Sequence, residues 1–172
     1  MNANLEIKAK CADRTRLKAR AEKLTKSAGK PFEQVDIFFS TPRGRLKLRV
    51  LSHDEGELIY YERPDAAGPQ VSSYHIARSV DPHALALVLE AALGIRGTVR
   101  KRRILYLLGD TRIHLDEVEG LGSYVELEVV MSPAHTVEQC TKTARDVMQK
   151  LGIREQDLLD SAYIDLLEKK LS

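Results

Sequence analysis

Apolar and polar residues alternate with a period of two along most of this chain, which predicts strand after strand with one apolar and one polar face. Asn4 to Lys10 sets Leu5, Ile7 and Ala9 against Asn4, Glu6, Lys8 and Lys10. Gln34 to Phe39 sets Val35, Ile37 and Phe39 against Gln34, Asp36 and Phe38. Arg45 to Val50 carries three cations on one face and three aliphatics on the other. Glu57 to Arg63, a weaker Val71 to Arg78, and Val99 to Leu108 follow, the last with Lys101 and Arg103 on one face. Gly109-Asp110 turns the chain into Arg112 to Val118, and Glu119 to Ser123 turns it again into Tyr124 to Glu128. In that hairpin Arg112, His114 and Asp116 share a face, as do Tyr124, Glu126 and Glu128. Ile113, Leu115, Val125, Leu127 and Val129 face the other way.

Helical stretches interrupt the alternation. Asp13 caps a helix running to about Ala28, with Gly29 as its stop. Asp81-Pro82 opens a second that stops near Gly94. A third spans about Thr136 to Leu151, ended by Gly152, and a fourth roughly Ser161 to Leu171. The pattern predicts an α+β fold: about eight antiparallel strands closing into a barrel, with the helices packed outside. The apolar faces then point outward beneath the helices, and the charged faces line a tunnel. No repeat, low-complexity tract or linker divides the chain, so residues 1–172 are expected to form a single domain.

Composition narrows the classes. The chain has 172 residues, enough to bury a real core, and 30% of them are charged. A net charge of +2 is too near neutral for a whole-chain nucleic-acid binder. Cys11 and Cys140 form no disulfide framework and stand near no histidine at metal-ligand spacing. No apolar run approaches a membrane span and Met1-Asn2-Ala3-Asn4 does not read as a signal peptide, so the expected location is the cytoplasm.

The inward candidates fall into two sets. Glu6, Asp116, Glu126 and Glu128 are acids; Lys8, Lys47, Arg49, Lys101, Arg103 and Arg112 are bases. Two carboxylates about 4 Å apart repel by roughly 4 kcal/mol at an effective dielectric near 20. A divalent cation removes that repulsion, and an all-oxygen site suits Mg²⁺ or Mn²⁺. The bases find their partner in a polyanion such as a triphosphate, which arginine grips through paired hydrogen bonds. Together the sets describe metal-assisted phosphoryl or nucleotidyl transfer, the plainer alternative being a face of surface salt bridges.

On these residues the chain resembles the CYTH superfamily, the triphosphate tunnel metalloenzymes, which include class IV adenylate cyclases and thiamine triphosphatases. The resemblance runs in order through Glu6-Ile7-Lys8, Gln34 to Phe39, Leu46-Lys47-Leu48-Arg49, Lys101 and Arg103, Ile113 to Gly122 with Glu126 and Glu128, and Ser161 to Leu167. It implies an eight-stranded tunnel in which Glu6, Asp116, Glu126 and Glu128 hold Mg²⁺ or Mn²⁺. Lys8, Lys47, Arg49, Lys101 and Arg103 become phosphate contacts, and Arg63 a further basic position if its strand register holds. A homodimer is also implied. Two departures stand out. The family's opening acid is here Asn4, whose amide adds no charge, and only Met1-Asn2-Ala3 stands where many class IV cyclases carry a His-Phe pair.

The expected activity is hydrolysis of the terminal phosphoanhydride of a small triphosphate, ATP or inorganic triphosphate, with Glu6, Lys8, Glu126 and Glu128 at the reacting centre. The same tunnel allows cyclisation of ATP to cyclic AMP and pyrophosphate, and Asn4 allows a non-catalytic polyphosphate binder. His114 is a candidate proton-transfer group, or a structural histidine. Tyr106 and Tyr163 are expected in the core beneath the helices. Gly120-Leu121-Gly122 is a turn, lacking the spacing of a phosphate loop. The basic run from Arg96 to Arg103 is expected as a strand shared between tunnel and surface.

Overall fold

A computed structural model describes residues 2–171. Its elements are β1 (Asn2–Lys10), α1 (Arg14–Thr25), β2 (Lys30–Phe39), β3 (Arg45–Val50), β4 (Gly56–Glu62) and β5 (Gln70–Ser79). After these come α2 (Pro82–Leu93), β6 (Ile95–Leu108), β7 (Thr111–Val118), β8 (Gly122–Val130), α3 (Val137–Leu151) and α4 (Tyr163–Leu171). The strands pair antiparallel in the order β1-β5-β4-β3-β2-β6-β7-β8, and β8 returns to β1. The sheet is a closed barrel, as the alternation predicts, and closure leaves no edge to protect.

Side-chain alternation then sorts the residues. Outward-facing Leu5, Ile7, Ile113, Leu115, Val125 and Leu127 are all buried, because α1 and α3 lie over β1, β6, β7 and β8. Leu17 and Ala21 of α1, with Ala144, Val147 and Leu151 of α3, complete that core. A smaller cluster joins Phe38, Val99, Val118 and Tyr124 to Ala162, Tyr163 and Ile164 at the start of α4. Gly97 in β6 makes that approach possible: a Cβ there would stand 2.7 Å from Ile164 Cδ1. No helix among the described residues is long and apolar enough to cross a membrane.

Capping residues fix where the helices begin. Asp13 Oδ1 accepts from the Arg16 amide at 2.9 Å, and Asp81 Oδ1 from the Ala84 amide at 2.9 Å. Thr136 and Gln139 form a reciprocal capping box for α3, whose far end closes on Gly152 at φ 71°.

Several boundaries differ from the sequence reading, among them the start of β6, at Ile95 and not Val99. The first helix ends at Thr25 on a left-handed Lys26, not at Gly29. Gly29 instead carries the turn into β2, where a Cβ would lie 2.6 Å from both Ile104 and Tyr106. β2 also begins at Lys30, four residues before Gln34, despite Pro31. Over Lys30–Gln34 only β6 pairs with it, since β3 joins at Val35, so one side of the strand tolerates a residue without an N–H.

Candidate active site

The inward faces enclose a cavity of about 390 Å³, within the roughly 300–1,000 Å³ of small-molecule sites. Glu6, Lys8, Lys47, Arg49, Arg63, Lys101, Arg103, Arg112, Glu126 and Glu128 all line it. Arg63 stands one residue past the end of β4, yet it keeps the inward register and reaches Glu6 at 3.7 Å.

Asp116 is the exception among the expected ligands. It is fully buried and absent from the cavity wall. Arg103 donates from Nε to Oδ1 at 2.6 Å and from Nη2 to Oδ2 at 2.8 Å, and the Tyr163 hydroxyl donates to Oδ2 at 2.8 Å. Asp116 therefore fixes Arg103 from behind, its Oδ2 accepting two of these bonds and its Oδ1 one. Tyr163 is in the core, as expected, and also lines the tunnel, its ring 3.8 Å from Lys8 Nζ and 5.1 Å from Lys101 Nζ.

The charges divide between opposite walls. On the β2-β3-β6 side, Asp36 is 1% exposed and sits among Lys47 Nζ (3.2 Å), Arg49 Nε (3.1 Å) and Lys101 Nζ (3.8 Å), with Gln34 donating at 2.9 Å. Burial alone would raise the Asp36 carboxyl, but these cations hold it far below the usual carboxylate range. Burial also lowers Lys47 and, aided by Arg103, brings Lys101 down to about 8. Asp36 escaped the sequence reading, although it shares a face with Gln34 and stands opposite Arg49 in register.

On the β1-β8 side, Glu6 faces Glu128 and Lys8 faces Glu126 across the seam. Lys8 Nζ pairs with Glu126 at 2.7 Å, Arg103 holds its other oxygen, and Arg112 Nε donates to Glu128 at 2.7 Å. Against the pull of burial, these cations hold Glu126 well below the usual range. His114, Arg112 and Arg103 do the same for Glu128. Glu6 is the carboxylate left short of compensation: burial and the charges of Glu128 and Glu126 push it up to about 7. With its side-chain amide oriented to satisfy both neighbours, Asn4 accepts at its oxygen from Arg112 Nη2 at 2.9 Å and donates to the Ala3 carbonyl at 3.1 Å, and it adds no charge to the tunnel. His114 is buried, with Nε2 3.4 Å from Glu128 and neither ring nitrogen hydrogen-bonded.

The donor set suits a hard cation. Glu6 and Glu128 offer oxygen donors on adjacent strands, and a bound cation would relieve their mutual repulsion. No three carboxylate, histidine or cysteine groups among the described residues already stand at ligand spacing. Mg²⁺ commonly takes only one or two carboxylates, its remaining positions going to water and substrate phosphates, so the residues fit.

A closed barrel whose tunnel opposes a cationic wall to an acidic one defines a class of polyanion-handling proteins, and the chain falls into a known family of that class. It matches the CYTH domain family over residues 2–163 and belongs to it. A Methanocaldococcus jannaschii protein provisionally named an adenylate cyclase is 23% identical over 169 residues, covering 94% of this chain and 97% of the relative. Adenylate cyclase CyaB of Aeromonas hydrophila is 25% identical, over 81% of this chain and 75% of its own. Among solved structures, a Pyrococcus horikoshii protein superposes with a TM-score of 0.81 at 27% identity, covering 95% of this chain and 99% of that one. A Hippeastrum protein provisionally named an adenylyl cyclase, in which triphosphatase activity dominates, superposes with a TM-score of 0.66 at 17% identity, covering 99% and 96%.

Proposed function

We propose that this protein is a divalent-cation-dependent triphosphatase that hydrolyses the terminal phosphoanhydride of a small triphosphate held in the tunnel. The observation that carries this reading is the opposition of walls: Lys47, Arg49 and Lys101 on one side, Glu6, Glu126 and Glu128 on the other. The cationic wall binds the phosphate chain and aligns it, with Arg103 fixed by Asp116 and Lys8 fixed by Glu126. Glu6 and Glu128 would hold Mg²⁺ or Mn²⁺, which when bound neutralises charge on the reacting phosphate. Water forms a bond to the terminal phosphorus as the bond to the bridging oxygen breaks, and its proton passes to the acidic wall. The enclosed, largely buried lining keeps these charges out of bulk water, where they act most strongly. Two free cysteines suit a reducing compartment, and we assign the cytoplasm.

The names of two relatives support a second reading, in which the ribose 3′-hydroxyl of ATP attacks the α-phosphorus and yields cyclic AMP and pyrophosphate. One experiment separates the readings. Purified protein with Mg²⁺ or Mn²⁺ is given inorganic triphosphate and ATP, and phosphate, cyclic AMP and pyrophosphate are quantified. Phosphate release without cyclic AMP is expected, lost on Glu128→Gln. Cyclic AMP with pyrophosphate would establish the cyclase, and binding without either product would reduce the tunnel to a holder of polyphosphate.

A further inference from the structure

A second cavity, of about 500 Å³, lies outside the barrel, where the turn from β1 into α1 meets the end of α3. It shares no lining residue with the tunnel. Val125 of β8 lines it while its neighbour Glu126 lines the tunnel, so one thickness of sheet separates the two. Its floor is apolar: Leu17 of α1, Leu151 at the end of α3 and Ile153 just beyond, all three members of the main core. Arg20 crosses Gly152, where any Cβ would collide with the guanidinium, and donates from Nη1 to the Leu151 carbonyl at 2.9 Å, which fixes it beside that floor.

The rim is cationic. Lys10 and Arg16 line it from exposed positions, and neither side chain forms an ion pair among the described residues. Of the two acids on the wall, Asp157 is taken up by Arg154 through two bonds of 2.8 Å, and Asp13 caps α1. The surplus of positive charge extends beyond the cavity. Residues 10–30 hold eight lysines and arginines against Asp13 and Glu22, a surplus of six in a chain whose net charge is +2, so the rest of the molecule is net acidic. A concave site in such a region gathers anions from solution.

The two surfaces call for different halves of one ligand. An inorganic anion would meet the rim and leave the floor wet, whereas a neutral apolar molecule would leave Lys10 and Arg16 without a counter-charge. A molecule with an anionic head and an apolar body uses both. We propose that this cavity binds a small organic anion, its phosphate or carboxylate head among Lys10, Arg16 and Arg20 and its apolar body over Leu17, Leu151 and Ile153. The site is separate from the tunnel and does not depend on what the tunnel does.

The test follows the backbone amide signals of the ¹⁵N-labelled full chain as hexyl phosphate, hexanoate, inorganic phosphate and hexanol are added in turn. Hexyl phosphate or hexanoate is expected to shift the amides of Cys11, Ala12, Gly152 and Ile153 saturably, and the tighter of the two assigns the head group. Inorganic phosphate and hexanol, each lacking half of the ligand, should bind there about tenfold more weakly. The Lys10→Gln/Arg16→Gln double variant, at exposed unpaired positions, should weaken the organic anion by roughly tenfold and leave the rest of the spectrum unchanged. The inference is overturned if neither organic anion moves those amides, or if the shifts are confined to the tunnel strands. It is equally overturned if inorganic phosphate or hexanol binds there as tightly, or if the double variant binds as the wild type does.

Discussion

Replacing Asp36 by asparagine leaves side-chain volume almost unchanged and removes one negative charge from among three cations. Each of those pairs, at 3.1 to 3.8 Å, represents roughly 5 kcal/mol of gross Coulomb attraction at an effective dielectric near 20. Desolvation offsets much of that, and stripping the partner from a buried cluster costs about 3–5 kcal/mol net. The Arg49 side chain remains 22% exposed, which favours the lower end, about 3 kcal/mol. For a chain of this length that lowers Tm by roughly 6–12 °C. The assay is thermal unfolding followed by circular dichroism, with and without inorganic triphosphate. Because the polyanion supplies the missing negative charge, it should raise Tm more in Asp36→Asn than in the wild type. A fall under about 2 °C would mean that the carboxylate does not compensate these cations. An equal ligand-induced shift in both proteins would mean that the polyanion does not meet them.

Four further outcomes follow from other parts of the structure. Lys101 titrates near 8, so polyanion affinity should fall as pH rises through 8, and Lys101→Met should abolish that step in a binding titration. Over the same window the unfolded chain, with its lysine nearer 10.5, binds the proton the folded one has lost. This group's contribution to stability should therefore rise with pH between about 8 and 10.5, measurable by urea unfolding. Tyr163→Phe keeps the ring beneath Lys8 but removes the donor to buried Asp116, and should cost about 1.5–3 kcal/mol in a denaturant melt. Leu115→Ala, at an outward core position 1% exposed, should cost about 2–5 kcal/mol without shifting polyphosphate affinity in the folded protein.

The barrel and most of the tunnel were legible in the sequence because a strand's period of two is a direct geometric instruction. Once Glu6, Glu126 and Glu128 share faces opposite buried aliphatics, only their inward direction is left to settle. Asp116 marks the limit of that reasoning. It lies on the inward face of β7, but depth depends on neighbours, and Arg103 with Tyr163 covers it completely. The tunnel-facing role of Tyr163 was missed for a related reason: at the first turn of a helix, periodicity does not say that the helix packs against the end of a barrel. Asp36 was visible on its face, yet its significance arises only from strand order, which brings β3 and β6 to either side of β2. The extra residues of β2 were hidden by Pro31, whose lack of an N–H counts against a strand until one side of the strand is known to be unpaired.

The acidic wall is split between the first strand and the last, with Glu6 on β1 and Glu128 on β8 meeting across the join that closes the barrel. That pairing spans most of the chain, so loop-closure entropy makes it a slow contact to form and an early one to open. A cation and polyphosphate held there would act as a clasp on the join, favouring the closed form by mass action. Occupancy should thus be read out far from the chemistry, as slower hydrogen exchange in the backbone amides of β1 and β8 and a longer lifetime against proteolysis. Ligand supply then sets the lifetime of the protein as well as its turnover.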